Sequence, residues 1–411
     1  MSTTSAPIPA SEGSVIFIVG AVQFINILDF MMVSPLGPFL ARALNFPLSH
    51  AAWATGSYTA AAAVSGLAGA FFLDRFERKR ALFVAMLGLA LGTLAGGFAV
   101  DLRTLLFARV LAGLFGGPAT SLAFSIVADV VPPERRGKAL GKVMGAFAAA
   151  SVLGVPFGLE LARRFDWRMP FVSTAALGAA AAFGALLRLP TLRGHLALRA
   201  DRSPLRELGG LVRADVLLSY GMTAIAMMAS FILLPNVSSY LVGNLRYPPA
   251  RLGLLYMAGG VVSFFTSRAT GKLIDRFGSA RVGAVGTLLL SGVILVGFTR
   301  EPPCAPILAI FIGVMFAMSI RNLAYSTLTS KVPRPGERAA FMSVQSSVQH
   351  LASAAGAICS SFFLTERADK ALAGFPSVAA ASIAVGLFLL PMLWIVEARV
   401  KQRVQLPPID A

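Results

Sequence analysis

The sequence predicts an all-α polytopic membrane protein with twelve transmembrane helices in two pseudo-symmetric six-helix bundles. Three observations carry that reading. Apolar residues make up 56% of the 411-residue chain, charged residues only 13%, and the mean hydropathy is +0.74; a soluble domain carries about twice that share of charge. Runs of about 20 apolar residues recur between short basic or Pro/Gly-containing breaks, which is the length a helix needs to cross the hydrocarbon layer with its backbone paired internally. Finally, short motifs return at one constant offset, so the first half of the chain resembles the second.

The predicted spans are 14–40, 49–73, 81–100, 102–128, 138–162, 168–188, 214–242, 251–274, 280–299, 304–330, 338–364 and 374–396. The first thirteen residues carry no Lys or Arg, so they lack the basic start of a secretory signal. The following run is too long for a signal core and contains Asp29, so it is kept as span one. A carboxylate in mid-span costs roughly 2.5 to 3.5 kcal/mol on insertion scales, and such a group usually faces a cation or a water-filled path. Gln23 and Asn26 precede it by six and three residues, which sets Asn26 on its face and Gln23 near it.

Spans two and three are joined by Leu73–Arg80, LDRFERKR; spans eight and nine by Ile274–Arg281, IDRFGSAR. The offset is 201 residues, and it also aligns Phe46-Pro47 with Tyr247-Pro248 and Val131-Pro132 with Val332-Pro333. An even number of spans per copy makes the repeats parallel, about an axis along the membrane normal, an arrangement that places a central site between halves. The domains follow: 1–188 as the N-terminal bundle, 189–213 as a cytoplasmic linker, and 214–411 as the C-terminal bundle and tail.

An Asp at the end of a helix opposes the macrodipole and needs a cation nearby. Asp74 with Arg75 and Arg78, and Gly271, Asp275, Arg276 and Gly278 in the second copy, therefore read as a conformational latch, with Asp129 at the end of span four as a further acid. Span four also carries Arg109, followed by Gly113 and Gly116. At 1.5 Å per residue, Asp29 lies about 16 Å and Arg109 about 10 Å below the outer ends of their spans, within the reach of an arginine. Span five holds Gly154, Pro156 and Gly158; small residues allow close helix approach and proline removes a backbone hydrogen bond, giving a bendable gate helix.

Spans seven and eleven hold Asn236, Gln345, Gln349 and His350, which with Gln23 and Asn26 are the candidate substrate-cavity residues. His350 is placed close to the midplane, about 18 Å into its span. Arg268 and Arg321 read as lying nearer the inner surface, snorkelling or joining the inner charge cluster. Cys304 and Cys359 fall near outer ends of spans, where apolar packing is expected rather than a disulfide.

The net charge is +17. With both termini cytoplasmic, inner loops and tail hold 22 Lys and Arg against 10 in the outer loops, so the excess is a topology signal. It implies contact with anionic lipid and does not imply nucleic acid.

The Gly271–Arg281 segment resembles the loop signature of the major facilitator superfamily, and the resemblance extends over nearly the whole chain. The N-terminal copy departs from it at Ala70 and Glu77. Arg109 to Gly113 is similar to that superfamily's fourth-span motif, with Ala112 in place of the usual Gln, and the likeness implies proton coupling through Asp29 and Arg109. Gly154-Val-Pro156-Phe-Gly158 resembles the fifth-span signature of its antiporter branch; with Asp166-Trp167-Arg168 it looks like bacterial sugar and drug efflux permeases.

The resemblance thus implies the major facilitator fold in a plasma (inner) membrane. It also implies proton-coupled efflux of a small organic solute, drug or sugar-like, by alternating access. A facilitator or proton symporter of the same fold is the alternative. A polytopic enzyme would need clustered nucleophiles or metal ligands; His50, His195 and His350 are far apart and no Walker, HExxH or GxSxG motif is present. A non-transporting receptor gives no reason for an ionisable Asp29. Expected partners are a small-molecule substrate, protons and membrane lipids, with no cofactor, no metal and no nucleic acid, and the chain is expected to act as a monomer. The composition leans toward amphipathic or apolar substrates.

Overall fold

The computed structural model describes residues 12–192, 211–334 and 338–405. Within them the first four spans are α1 (Glu12–Ala43), α2 (Ala51–Phe72), α3 (Arg78–Gly97) and α4 (Leu102–Val130). Span five is α5 (Pro133–Ala149) and α6 (Val155–Arg164), joined by a π-helical turn, and span six is α7 (Met169–Arg188). Spans seven to eleven are α8 (Ala214–Gly243), α9 (Leu252–Phe277), α10 (Ser279–Phe298), α11 (Ile307–Thr329) and α12 (Arg338–Ser361). Span twelve is α13 (Phe375–Leu387) followed by α14 (Leu389–Gln405). Residues 193–210, most of the predicted linker, lie outside the described residues.

Every predicted span is helical, and the differences lie at the ends and in two interior interruptions. Span five begins earlier, at Pro133, because proline at the first helical position has no N–H to leave unpaired and its φ is already helical. Its interior turn, Ala150–Gly154, is π-helical: Val155 N–H reaches back five residues to Ala150 O. Pro156 follows immediately and has no N–H to offer Val152, so the helix absorbs the lost bond in a wider turn. Span twelve breaks at Phe388 and runs on to Gln405; Pro391 cannot donate to the carbonyl of Leu387.

The α1–α2 end, expected from the charge distribution to face outside, is called outer below. There the halves share one apolar core, in which Leu36 and Leu40 of α1 pack with Val237 and Tyr240 of α8 and Phe375 of α13. Towards the inner end the cores separate. One holds Val19, Leu82, Met86 and Ala123 of the first half, the other Met222, Phe341 and Leu393 of the second. A two-stranded antiparallel ribbon, β1 (Thr365–Glu366) with β2 (Leu372–Ala373), bridges the outer ends: the Glu366 carboxylate accepts the N–H of Leu48 in the other half.

The glycines of span eight trace the same change along one helix face. A Cβ on Gly260 would stand 3.0 Å from Val152, and one on Gly253 3.5 Å from the Pro156 carbonyl. Gly271 lies on that face three turns further in and meets nothing within 4 Å, as do Gly141 and Gly145 of α5. Spans five and eight therefore touch outside and part inside. On the opposite side α2 and α12 stay close to the inner end, with Gly66 beside Ser347. The two bundles form a V that opens inward. Large apolar side chains such as Phe107, Leu187, Phe265 and Phe388 are exposed along the spans, as a lipid-facing wall requires. Cys304 and Cys359 are both free and both exposed, so neither has the expected apolar packing: each sits where its span emerges.

Candidate functional site: a sealed ion pair in the first bundle

Asp29 points into the N-terminal bundle, and four helices meet around it. Arg109 of α4 donates from Nη1 to Oδ1 at 3.0 Å and from Nη2 to Oδ2 at 3.1 Å, with a further bond of 3.3 Å from Nη2 to the Asp29 carbonyl. Thr93 of α3 donates its hydroxyl to Oδ1 at 2.7 Å. The Tyr58 ring of α2 lies 4.6 Å from the guanidinium carbon, a cation–π contact. Both charged side chains are 0% exposed.

The spacing in α4 explains the approach. Gly113 and Gly116 turn towards α2, where a Cβ on either would stand 2.2 Å from a Tyr58 oxygen, backbone at Gly113 and hydroxyl at Gly116. Glycine at both positions lets Tyr58 lie over Arg109. The tyrosine hydroxyl donates to Asn26 Oδ1 at 2.8 Å, and Asn26 donates onward to the Gly116 carbonyl at 2.9 Å and Thr120 at 2.7 Å. Asp29, Asn26 and Arg109 thus belong to one network.

A bidentate carboxylate–guanidinium pair is directional and strong. Removing two charges from water is costly, and the pair compensates only while both members stay charged and in contact. Removing either side chain alone would leave the other charge buried without its counter-charge.

The cavity candidates divide. Gln23 is buried, with Oε1 lacking a hydrogen-bond partner among the described residues. Asn236 donates to Ser360 at 2.8 Å and Gln345 to Thr223 at 2.5 Å, each tying span seven to span eleven. Gln349 is exposed and donates to Met227 Sδ at 3.5 Å, while His350 is half-buried. Gln349 shares its helix face with Met342, exposed at the inner end, and with Ser353 and Ser360, buried at the outer end. That face looks into the V.

At the inner surface Arg78 donates to Asp129, joining the start of α3 to the end of α4. Arg75 is exposed, and the Asp74 side chain lies outside the described residues. In the second copy Asp275 is exposed and has no ion pair among the described residues; Arg276 stacks on Phe277 at 5.2 Å. Gly278 has φ +86°, which makes the turn from α9 into α10, and the Glu397 carboxylate accepts the N–H of Ala280 at that helix start. Of the gate residues, Gly154 packs on Leu28, Pro156 on Gly253, and Gly158 near Pro170 and Met32.

Thr93, Tyr58 and Thr120 were missed by the sequence reading. One Tyr in an alanine-rich span, and the two glycines facing it, were the available signal. Arg321 was misplaced. It is 1% exposed and turns sideways, donating from Nη2 to Ser230 of α8 at 2.5 Å and to Asn322 at 3.1 Å, instead of reaching for the surface. Its helix face points at α8, so the nearest polar atoms are lateral. Arg268 is exposed, with its guanidinium over Phe264.

Two parallel six-helix bundles around an inward cleft define a membrane transporter architecture. A sequence profile of the Major Facilitator Superfamily matches residues 19–357 and 221–408, and the chain belongs to that superfamily. Among its relatives, the inner membrane transport protein YdhP of Escherichia coli K12 is 28% identical over 264 residues, 64% of this chain and 66% of YdhP, so the match spans about two thirds of that relative. The chloramphenicol resistance protein of Streptomyces lividans is 26% identical over 309 residues, 73% of this chain and 76% of its own. A puromycin resistance protein of Streptomyces alboniger is 31% identical over 194 residues, 47% and 39% of the two chains.

Two solved structures share the fold. A bacterial homolog of the human lysosomal transporter Spinster, inward-facing and unoccupied, has a TM-score of 0.71 at 16% identity, over 98% of this chain and 100% of that one. A D-xylose–proton symporter has 0.72 at 16% identity, over 93% and 97%. The protein is a multi-pass membrane transporter and not an enzyme.

Proposed function

We propose that the protein is a proton-driven exporter of small organic molecules working by alternating access. The observation that carries this reading is the sealed Asp29–Arg109 pair, the only ion pair among the described residues with both members fully buried. In the inward-open form the pair is closed and Asp29 is charged. Tilting the bundles to open the outer side shifts α1 against α4, and Asp29 takes a proton from outside as Arg109 withdraws. Return to the inward form re-forms the pair and releases the proton inside. Export is favoured over import by the likeness to relatives whose names record drug resistance. The linkage also explains why the acid sits inside a bundle instead of on the cleft wall: it reads the conformation.

The test is pH-gradient-driven uptake into everted membrane vesicles, with chloramphenicol, puromycin and a panel of sugars, with and without an uncoupler. Asp29→Asn is expected to abolish uphill movement while downhill exchange continues. The double variant Asp29→Asn/Arg109→Gln, which leaves no orphan charge, is expected to behave alike and controls for folding. Uphill transport by either variant at the parent's rate would overturn the coupling role.

A further inference from the structure

The internal repeat exposes an imbalance between the two halves. In the first, a buried arginine is matched by Asp29. Adding the 201-residue offset to Asp29 gives Ser230, and the buried arginine of the second half, Arg321, donates to that residue. The C-terminal bundle thus has a cation aimed at the acid's position and no acid there. Among the described residues no carboxylate lies within ion-pair distance of Arg321; its acceptors are the Ser230 hydroxyl and the Asn322 side-chain carbonyl, both neutral. Ser230 passes its own hydrogen to the Ala226 carbonyl at 2.8 Å, so it serves Arg321 as acceptor only. A cation held out of water without a counter-ion is costly, and Arg321 is 1% exposed.

The surroundings describe what would complete the pair. Phe231, next to Ser230, stacks on Phe30 of the other half with ring centroids 5.8 Å apart, at the seam between the bundles. One turn back on α8, Met227 accepts from Gln349, which is exposed to the V. A flat guanidinium binds a carboxylate in a fork, and a single cation balances a single negative charge. The apolar rings at that seam suit an apolar body.

We propose that Arg321, with Ser230, holds the anionic end of the transported molecule, and that this molecule is an amphipathic organic monocarboxylate. The ligand supplies in the second half the negative charge that Asp29 supplies in the first. The proposal deepens the transporter reading by naming a substrate class, but its test is equilibrium binding and does not depend on proton coupling.

The test uses the full-length protein purified in detergent and its thermal unfolding with benzoate, cinnamate or 2-naphthoate, each against its methyl ester. At least one acid is expected to raise the unfolding temperature, with its ester at least tenfold weaker by concentration. Arg321→Gln is expected to lose the response to the acid, and Arg321→Lys to keep part of it. Ser230→Asp, which restores an internal acid at the repeat position, is expected to unfold at or above the parent temperature and to lose the response as well. Esters as effective as acids, no response of the parent to any acid, or a full response in Arg321→Gln or Ser230→Asp would each overturn the assignment. Asp29→Asn is expected to keep the acid response, so failure of the coupling mechanism and failure of this site read out separately.

Discussion

Phe30 and Phe231 occupy the same position in the two copies of the repeat, and their rings stack on each other at 5.8 Å with an angle of 26°. Equivalent residues can touch only close to the pseudo-two-fold axis, so the axis passes between α1 and α8 at this depth. Tyr58 also stacks on Phe30, at 5.7 Å, and lies over Arg109. A continuous line of rings therefore runs from the guanidinium of the ion pair to the partner bundle. Aromatic pairs contribute about 0.5–1.5 kcal/mol beyond their area. A double-mutant cycle with Phe30→Leu and Phe231→Leu, measured by unfolding in detergent, is expected to return a coupling in that range. Additive effects would mean that the stack does not hold the seam.

The V shape gives an accessibility prediction. In a background with Cys304 and Cys359 replaced by serine, Gly271→Cys and Gly145→Cys are expected to react with a water-soluble maleimide at least tenfold faster than Gly253→Cys. All three belong to spans five and eight, but only Gly253 has the other helix against it. Equal rates at Gly271 and Gly253 would show that the inner ends of these spans are not parted.

The architecture was legible because membrane insertion imposes it locally: twelve apolar stretches, basic inner loops and one repeat offset each leave a direct trace. Asp29 and Arg109 were legible for a related reason, since a charge in hydrocarbon demands a partner and depth along a helix can be counted. Side-chain direction was not. Asn26 and Asn236 are as polar as any cavity residue, but both turn to neighbouring helices, and only packing decides that. Arg321 was misread because depth alone suggested the inner surface, while the helix face that carries it looks at α8. The π turn of span five follows from Pro156 but leaves no trace in the apolar periodicity, and the outer β ribbon depends on tertiary contacts.

Breaking the ion pair from one side should cost more than removing it. Asp29→Asn leaves Arg109 buried and unpaired, which typically costs about 3–5 kcal/mol. The double variant Asp29→Asn/Arg109→Gln deletes both charges and is expected to regain at least half of that loss, measured by unfolding in detergent. A single variant as stable as the parent would mean that water or another group reaches Arg109 in this form.

Asp101 caps α4, the helix that presents Arg109. Its side chain accepts the N–H of Thr104 at 2.8 Å, and the Thr104 hydroxyl accepts the Asp101 N–H at 3.1 Å, a reciprocal capping box. The Thr104 backbone N–H, foremost, and its hydroxyl hold the carboxyl below its ordinary range. A group with a lowered folded pKa stabilises the protein above its unfolded pKa, near 4, and that contribution fades as the pH falls through the folded value. Asp101→Asn keeps an acceptor without the titration. The parent is expected to lose more stability than this variant between pH 5 and pH 3, and parallel curves would count against the cap as a titrating element.

The glycines of α4 set the distance between α2 and the ion pair, and they give the sharpest packing test. A Cβ at Gly113 would stand 2.2 Å from the Tyr58 carbonyl, a backbone atom that cannot swing aside. Gly20, also in a membrane helix, has nothing within 4 Å. Overpacking a tight site costs about 1–3 kcal/mol. Gly113→Ala is therefore expected to lower the unfolding temperature in detergent, whereas Gly20→Ala leaves it unchanged or raises it slightly through better helix propensity. The functional consequence follows from the same geometry. Pushing α2 away lifts Tyr58 off the guanidinium and lets water approach a pair that is otherwise sealed. Gly113→Ala should then uncouple transport from the pH gradient more than it weakens downhill exchange, as vesicle fluxes with and without an uncoupler would show. Equal loss of both would reduce Gly113 to a packing residue.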